Sequence, residues 1–119
     1  MLETVSLAEK FSRFADQWSP KLIGELNGQY VKLAKLEGEF HWHAHAEEDE
    51  LFLVVRGRLR IELRDGVVEL GPGELVVVPR GVEHRPVADE EAEVLLFEPK
   101  STVNVGDGSD REAARLEWI

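Results

Sequence analysis

No cysteine occurs anywhere in the 119 residues. A disulfide framework, a thiolate metal site and a cysteine nucleophile are excluded with it. Positive charge is scarce: 14 Lys and Arg stand against 24 Asp and Glu, a formal net charge of −10. Phosphate-backbone binding needs clustered Lys and Arg, so no nucleic-acid partner is expected. Docking on anionic membranes is disfavoured for the same reason. No apolar run is long enough to span a bilayer, and MLETVSLAEKF carries charges within its first apolar turn, unlike a secretory signal. The expectation is a soluble cytoplasmic protein with no membrane partner.

The length suits a single domain over residues 1–119, and a hydrophobic content of 43% is ample for a core. Ser6 with Glu9 three residues later fits a capping box. Leu7, Phe11, Phe14, Ala15 and Trp18 follow at helical spacing, so a helix is predicted over about 6–18, ended by Ser19-Pro20. Its apolar stripe is expected to pack on a sheet, or to serve as a dimer arm or a lid over a pocket. Short strands come next. Lys21–Leu26 and Gln29–Leu36 flank Asn27-Gly28, a strong hairpin signal. Gly38 breaks the run. Leu51–Val55 and Arg58–Leu63 flank Arg56-Gly57, and in the second of these Leu59, Ile61 and Leu63 alternate with Arg58, Arg60 and Glu62. Val67–Leu70, Leu75–Val78 and Glu93–Phe97 complete the set, and Asp110–Trp118 is read as a final short helix. Eight or nine short strands with turn signals every 8–12 residues imply an all-β sandwich or barrel.

The chemistry concentrates in Phe40–Gly57, FHWHAHAEEDELFLVVRG. In an extended chain His41, His43 and His45 share one face, while Trp42 and Ala44 take the other, where the N-terminal helix or a partner subunit can cover them. Such neighbours stand roughly 6–7 Å apart along the backbone. Two imidazoles at that spacing can tilt inward onto one metal ion, with bonds of about 2.0–2.1 Å for zinc. Glu50 opens the next apolar strand, with Phe52 and Val54 on its face as expected pocket walls. His84, at the end of PRGVEH, is the remaining histidine. Glu47-Glu48-Asp49 reads as a solvated loop, or as a rim that repels anions or binds a second cation. Lys32 and Arg80 are the cations expected near the pocket.

The sequence resembles the cupin superfamily. Gly38, His43-Ala44-His45, Glu50 and Gly57 are similar to its first motif, over residues 38–57. Gly73, Pro79-Arg-Gly81 and His84 are similar to its second, over residues 73–88. The whole is similar to small single-domain cupins grouped with mannose-6-phosphate isomerase-like proteins. The resemblance implies a single cupin-type β-barrel (a double-stranded β-helix, or jelly roll) with a short N-terminal helix. It further implies that His43, His45, Glu50 and His84 ligate one divalent metal ion per chain, of zinc, iron, manganese or nickel, and that the protein is a homodimer. Two departures stand out: four residues rather than five separate Gly38 from His43, and Ala88 occupies the usual Asn position of the second motif.

Four protein ligands leave roughly two positions on a six-coordinate metal for water or a chelating small molecule. Two functions follow. One is a metalloenzyme acting on a small polar substrate, sugar-like or a keto, enol or carboxylate compound, as an isomerase or a dioxygenase by Lewis-acid or oxygen-activating chemistry. Strand parity then makes His41 the candidate catalytic residue, beside the ligands and available to shuttle a proton. The other is a non-catalytic module that binds or senses a small ligand, favoured by Ala88 and by the apolar inner faces of the strands.

Overall fold

The computed structural model describes residues 2–109, 113 and 115–119. A helix α1 (Leu7–Phe11) precedes strands β1 (Lys21–Leu26), β2 (Gln29–Glu39), β3 (Glu50–Arg56), β4 (Leu59–Leu63), β5 (Gly66–Leu70), β6 (Leu75–Val78), β7 (His84–Pro99) and β8 (Glu117–Trp118). The expected all-β jelly roll with a short leading helix is observed. No helix among the described residues is long and apolar enough to cross a membrane.

The 16-residue β7 organises the architecture. One edge pairs antiparallel with β2 over almost its full length. The other edge pairs with β4 through His84–Val87 and with β3 through Glu93–Phe97. The described strands thus form one sheet that branches at β7, and the chain folds over on itself without closing the hydrogen-bonded path. Between the layers lies a core of alternate residues: Ala34 and Leu36, Phe52 and Val54, Leu59 and Ile61, Val94 and Leu96. Each large apolar side chain so buried contributes about 1.5–3 kcal/mol. The wet and dry faces read in β4 are observed, with Leu59 and Ile61 buried and Arg60 and Glu62 paired with other charges.

The β1–β2 hairpin turns on Asn27 (φ 50°) and Gly28 (φ 76°), both in the left-handed region that a two-residue turn requires. Elsewhere the structure corrects the expectations. The first helix spans five residues, not thirteen. Ser6 caps it, its Oγ accepting from the Glu9 amide at 3.3 Å. Beyond Arg13 the backbone finds partners on β2 instead of within a helix: the Phe14 carbonyl accepts from Lys35 Nζ at 2.7 Å, and the Trp18 amide donates to the Lys35 carbonyl at 2.9 Å. A helix this short is marginal by itself, so tertiary pairing wins.

Gly38 does not end β2; the ladder shifts register between Leu36 and Gly38 and continues to Glu39. The histidine stretch is not a regular strand. It holds a single bridge, His43 with His84, plus the Phe40–Pro86 and Gly81–His45 backbone hydrogen bonds. Of the expected final helix, Asp110, Arg111, Glu112 and Ala114 lie outside the described residues. Its last residues form β8, which pairs parallel with β1.

Candidate metal centre

Three elements deliver the four expected ligands to one place. His43 and His45 come from the irregular segment before β3, Glu50 opens β3, and His84 opens β7. The two mutual backbone hydrogen bonds of His43 and His84, at 3.0 and 2.9 Å, lock these segments side by side. One donor atom from each of His43, His45, Glu50 and His84 lies within 4.8 Å of all the others, and all four residues are buried. Glu50 Oε1 is 3.6 Å from His45 Nε2 and 3.4 Å from His84 Nε2. All three of these atoms are buried with no hydrogen-bond partner. Burying such polar atoms unpaired costs about 1–3 kcal/mol each. Ligand atoms bonded at about 2.1 Å to one ion stand roughly 3.0–3.5 Å from one another, so the set fits a divalent metal.

The backbone sets the tautomers. His43 Nδ1 donates to the His41 carbonyl at 3.0 Å, and His84 Nδ1 donates to the Val82 carbonyl at 2.9 Å. Each Nε2 therefore carries a lone pair, the form a metal needs. Burial lowers the His43 pKa to about 4, keeping it neutral at physiological pH. His45 differs. Burial alone would lower its pKa, but Glu50, with Asp107 and Glu48 behind it, holds it above the ordinary value.

Glu50 is not alone beneath the cluster. Burial would raise its pKa, but the neighbouring Glu98 carboxyl and the His45 and His84 imidazoles keep it well below the usual carboxylate range. Glu98 carries the opposite shift: burial and the neighbouring Glu50 raise its pKa well above 4.5, with Lys32 opposing only in part. Lys32 Nζ donates to Glu98 Oε1 at 2.9 Å. The expected pocket cation is thus sealed in an internal ion pair. Arg80 is exposed and pairs with Asp49 at 3.2 Å.

His41 does not join the ligands. Its Nε2 donates to the Val105 carbonyl at 2.7 Å, with its ring 5.3 Å from that of His43. This contact belongs to a feature the sequence reading missed. The segment after β7 crosses back over the histidines: the Asp107 amide donates to the Ala44 carbonyl at 3.0 Å, and Asp107 Oδ2 accepts from the Ala46 amide at 2.6 Å. Gly106 (φ 91°) approaches so closely that an added Cβ would stand 2.5 Å from His43 Cβ. What reads in sequence as a loosened tail, Gly106-Asp107-Gly108, is a strap.

The acidic loop is only partly solvated. Glu47 and Asp49 are exposed, but Glu48 is buried and its Oε2 accepts from Ser101 Oγ at 2.7 Å. His45, Glu48 and Asp107 bring one donor atom each within 4.8 Å of one another. Trp42 faces away from the ligands as expected. Arg64, 3.8 Å above its ring, covers it in place of the N-terminal helix.

Beside Glu50 and His43 lies an open-mouthed cavity of about 40 Å³. Its apolar walls include Trp18, Leu36, Phe40, Phe52 and Leu96, and its polar members are His43, Glu50 and Asn104. Phe52 is a wall as expected, whereas Val54 lies deeper in the core.

The cupin domain family model matches residues 29–98, which contain all four clustered residues. The chain belongs to the cupin domain family. A cupin-2 domain-containing protein of Shewanella frigidimarina NCIMB 400 is 47% identical with a TM-score of 0.80, over 81% of this chain and 94% of that one. Among curated proteins, the uncharacterised protein YdbB of Bacillus subtilis is 39% identical over 64 residues, 53% of this cupin and 57% of YdbB. Acireductone dioxygenase of Phaeosphaeria nodorum is 32% identical over 112 residues, 85% of this cupin and 61% of that protein. The chain thus spans about three-fifths of the length of these two curated relatives.

Proposed function

We propose that this cupin is a metalloenzyme that holds one divalent metal, of zinc, iron, manganese or nickel, through His43, His45, Glu50 and His84, and acts on a small ligand presenting oxygen donors. The observation behind this reading is the convergence of Glu50 Oε1, His45 Nε2 and His84 Nε2, three buried atoms without partners, on one point. The bound ion supplies Lewis-acid polarisation of a carbonyl or enol oxygen, or dioxygen activation if it is iron. The chain's own groups do the rest. Carbonyls of His41 and Val82 keep two imidazoles oriented, Glu98 and Lys32 hold Glu50 from beneath, and Trp18, Phe40 and Phe52 exclude water from the approach. The similarity to an acireductone dioxygenase supports oxygen chemistry among the enzymatic options. The mannose-6-phosphate isomerase-like grouping describes sequence similarity and adds no activity.

One observation favours a second reading, a non-catalytic binding or sensing module. Among the described residues lining the cavity, the titratable groups are His43 and Glu50, both in the cluster. His41 would have to surrender its hydrogen bond to Val105 to shuttle a proton. Oxygen uptake by iron-loaded protein against a panel of enols and diols separates the two: turnover lost in His84→Ala supports the enzyme, and tight binding without turnover across the panel supports the module.

The homodimer is a proposal as well. On the outer side of the sheet, Val77, Leu51 and Phe97 form one row across β6, β3 and β7, and Leu75, Leu53 and Leu95 form the next. Leu75 and Val77 are about half exposed. This uncharged face on a strongly acidic chain suits a second copy of itself around a two-fold axis.

A further inference from the structure

We infer that the site takes a small conjugated molecule with an apolar body and adjacent oxygen atoms at one end, and that it does not take a sugar phosphate. The inference rests on the metal-centre reading above and names the class of its ligand. Three observations carry it.

The first is the lining. The walls are mostly aromatic and aliphatic, and two of the polar lining residues, His43 and Glu50, belong to the cluster. Ligand pockets of this make-up hold apolar bodies and orient them by a few polar groups. A sugar phosphate would leave its hydroxyls facing Leu36, Phe52 and Leu96 without partners.

The second is charge. No Lys or Arg lines the cavity among the described residues. Lys32 is locked on Glu98, and Arg80 is exposed and bound to Asp49. None of the described residues lining the cavity offers a phosphate a second cationic contact, and the chain as a whole carries −10.

The third is Trp18. It holds φ 57°, a region that a bulky side chain rarely adopts. Strain of this kind persists where the surroundings fix it, and it gathers at ligand sites. Here the indole Nε1 donates to the Glu37 carbonyl at 2.9 Å, and the ring stacks on Phe40 at 4.7 Å with 13° between planes. The indole polar group is thereby satisfied away from the cavity. What remains is a flat aromatic wall, fixed beside Phe40, that suits a planar partner.

The test uses zinc-loaded protein, so that binding is read without redox turnover. Zinc stoichiometry is measured first. 4-Nitrocatechol, whose absorbance reports its ionisation, is then titrated beside mannose 6-phosphate, with tryptophan fluorescence as a second readout. Nitrocatechol is expected to bind at least about tenfold more tightly than mannose 6-phosphate, a difference of about 1.4 kcal/mol. Trp18→Leu and the milder Phe40→Leu should each weaken nitrocatechol several-fold with zinc content unchanged. Full zinc content with equal or tighter sugar phosphate binding, or with neither variant weakening nitrocatechol, overturns the ligand class and leaves the metal centre standing. Absence of zinc uptake overturns the metal centre itself, and the ligand class with it.

Discussion

Lys32 Nζ donates to Glu98 Oε1 at 2.9 Å with both side chains 1% exposed, directly beneath a ligand candidate of the metal cluster. Removing one member of a buried pair leaves an uncompensated group and costs about 3–5 kcal/mol. Lys32→Met is therefore expected to lose stability of that order in urea unfolding; a change within experimental error would show the pair to be idle.

Glu98→Gln tests the same pair from the other side. The Glu98 pKa is raised, first by burial and then by Glu50. A raised folded pKa gives stability that is present below the unfolded value and lost as pH rises through the folded one. The variant, which has no proton to lose, should therefore gain stability relative to the parent as pH rises from about 4.5 toward neutrality. Parallel stability curves for the two proteins would contradict the assignment.

His43 acts with the opposite sign. Its pKa is lowered from 6.5 to about 4 by burial. Below pH 6.5 the unfolded chain takes up a proton that the folded chain refuses, so stability present above 6.5 is lost as pH falls toward 4. A shift of that size corresponds to about 3 kcal/mol. In metal-free protein, His43→Gln should remove most of this acid-side loss, measured as the difference in unfolding free energy between the two proteins from pH 7 to 4. An identical pH slope in both would refute it.

The strap predicts a contrast between two glycines. Gly106 and Gly108 both have positive φ, but only at Gly106 does an added Cβ meet His43. Gly108→Ala should cost about 1 kcal/mol from backbone strain alone. Gly106→Ala should cost clearly more and weaken metal uptake by displacing His43. Equal effects would mean that the strap does not brace the site.

The proposed dimer face gives a prediction in solution. Leu75→Lys with Val77→Glu places charge on the outer sheet face, far from the ligand face of β3. The parent should show a dimer mass by light scattering at micromolar concentration and the variant a monomer mass. A monomeric parent would remove the proposal.

What the sequence disclosed followed physical determinism of different strengths. Asn27-Gly28 announced its hairpin because few residues tolerate that backbone. The clustered four were legible because imidazoles and a carboxylate at family spacing have few other uses. The spacing of Phe14 and Trp18 misled, since helical periodicity cannot show that Lys35 offers their backbone better partners. Glu98 was readable in principle: it shares strand parity with Val94 and Leu96, and so points inward. Lys32 shares parity with Ala34 and Leu36 in the same way. The strap over the histidines left no such trace, because a Gly-Asp-Gly run looks the same whether it hangs free or packs on a site.

The central claim is that His43, His45, Glu50 and His84 hold a metal ion. The most direct test is elemental analysis of untagged protein purified without added metal, beside a His43→Ala, His45→Ala double variant. The account predicts close to one divalent transition-metal ion per chain in the parent and none in the variant. A parent that is metal-free as purified, and that also fails to take up iron, manganese, nickel or zinc, would contradict it.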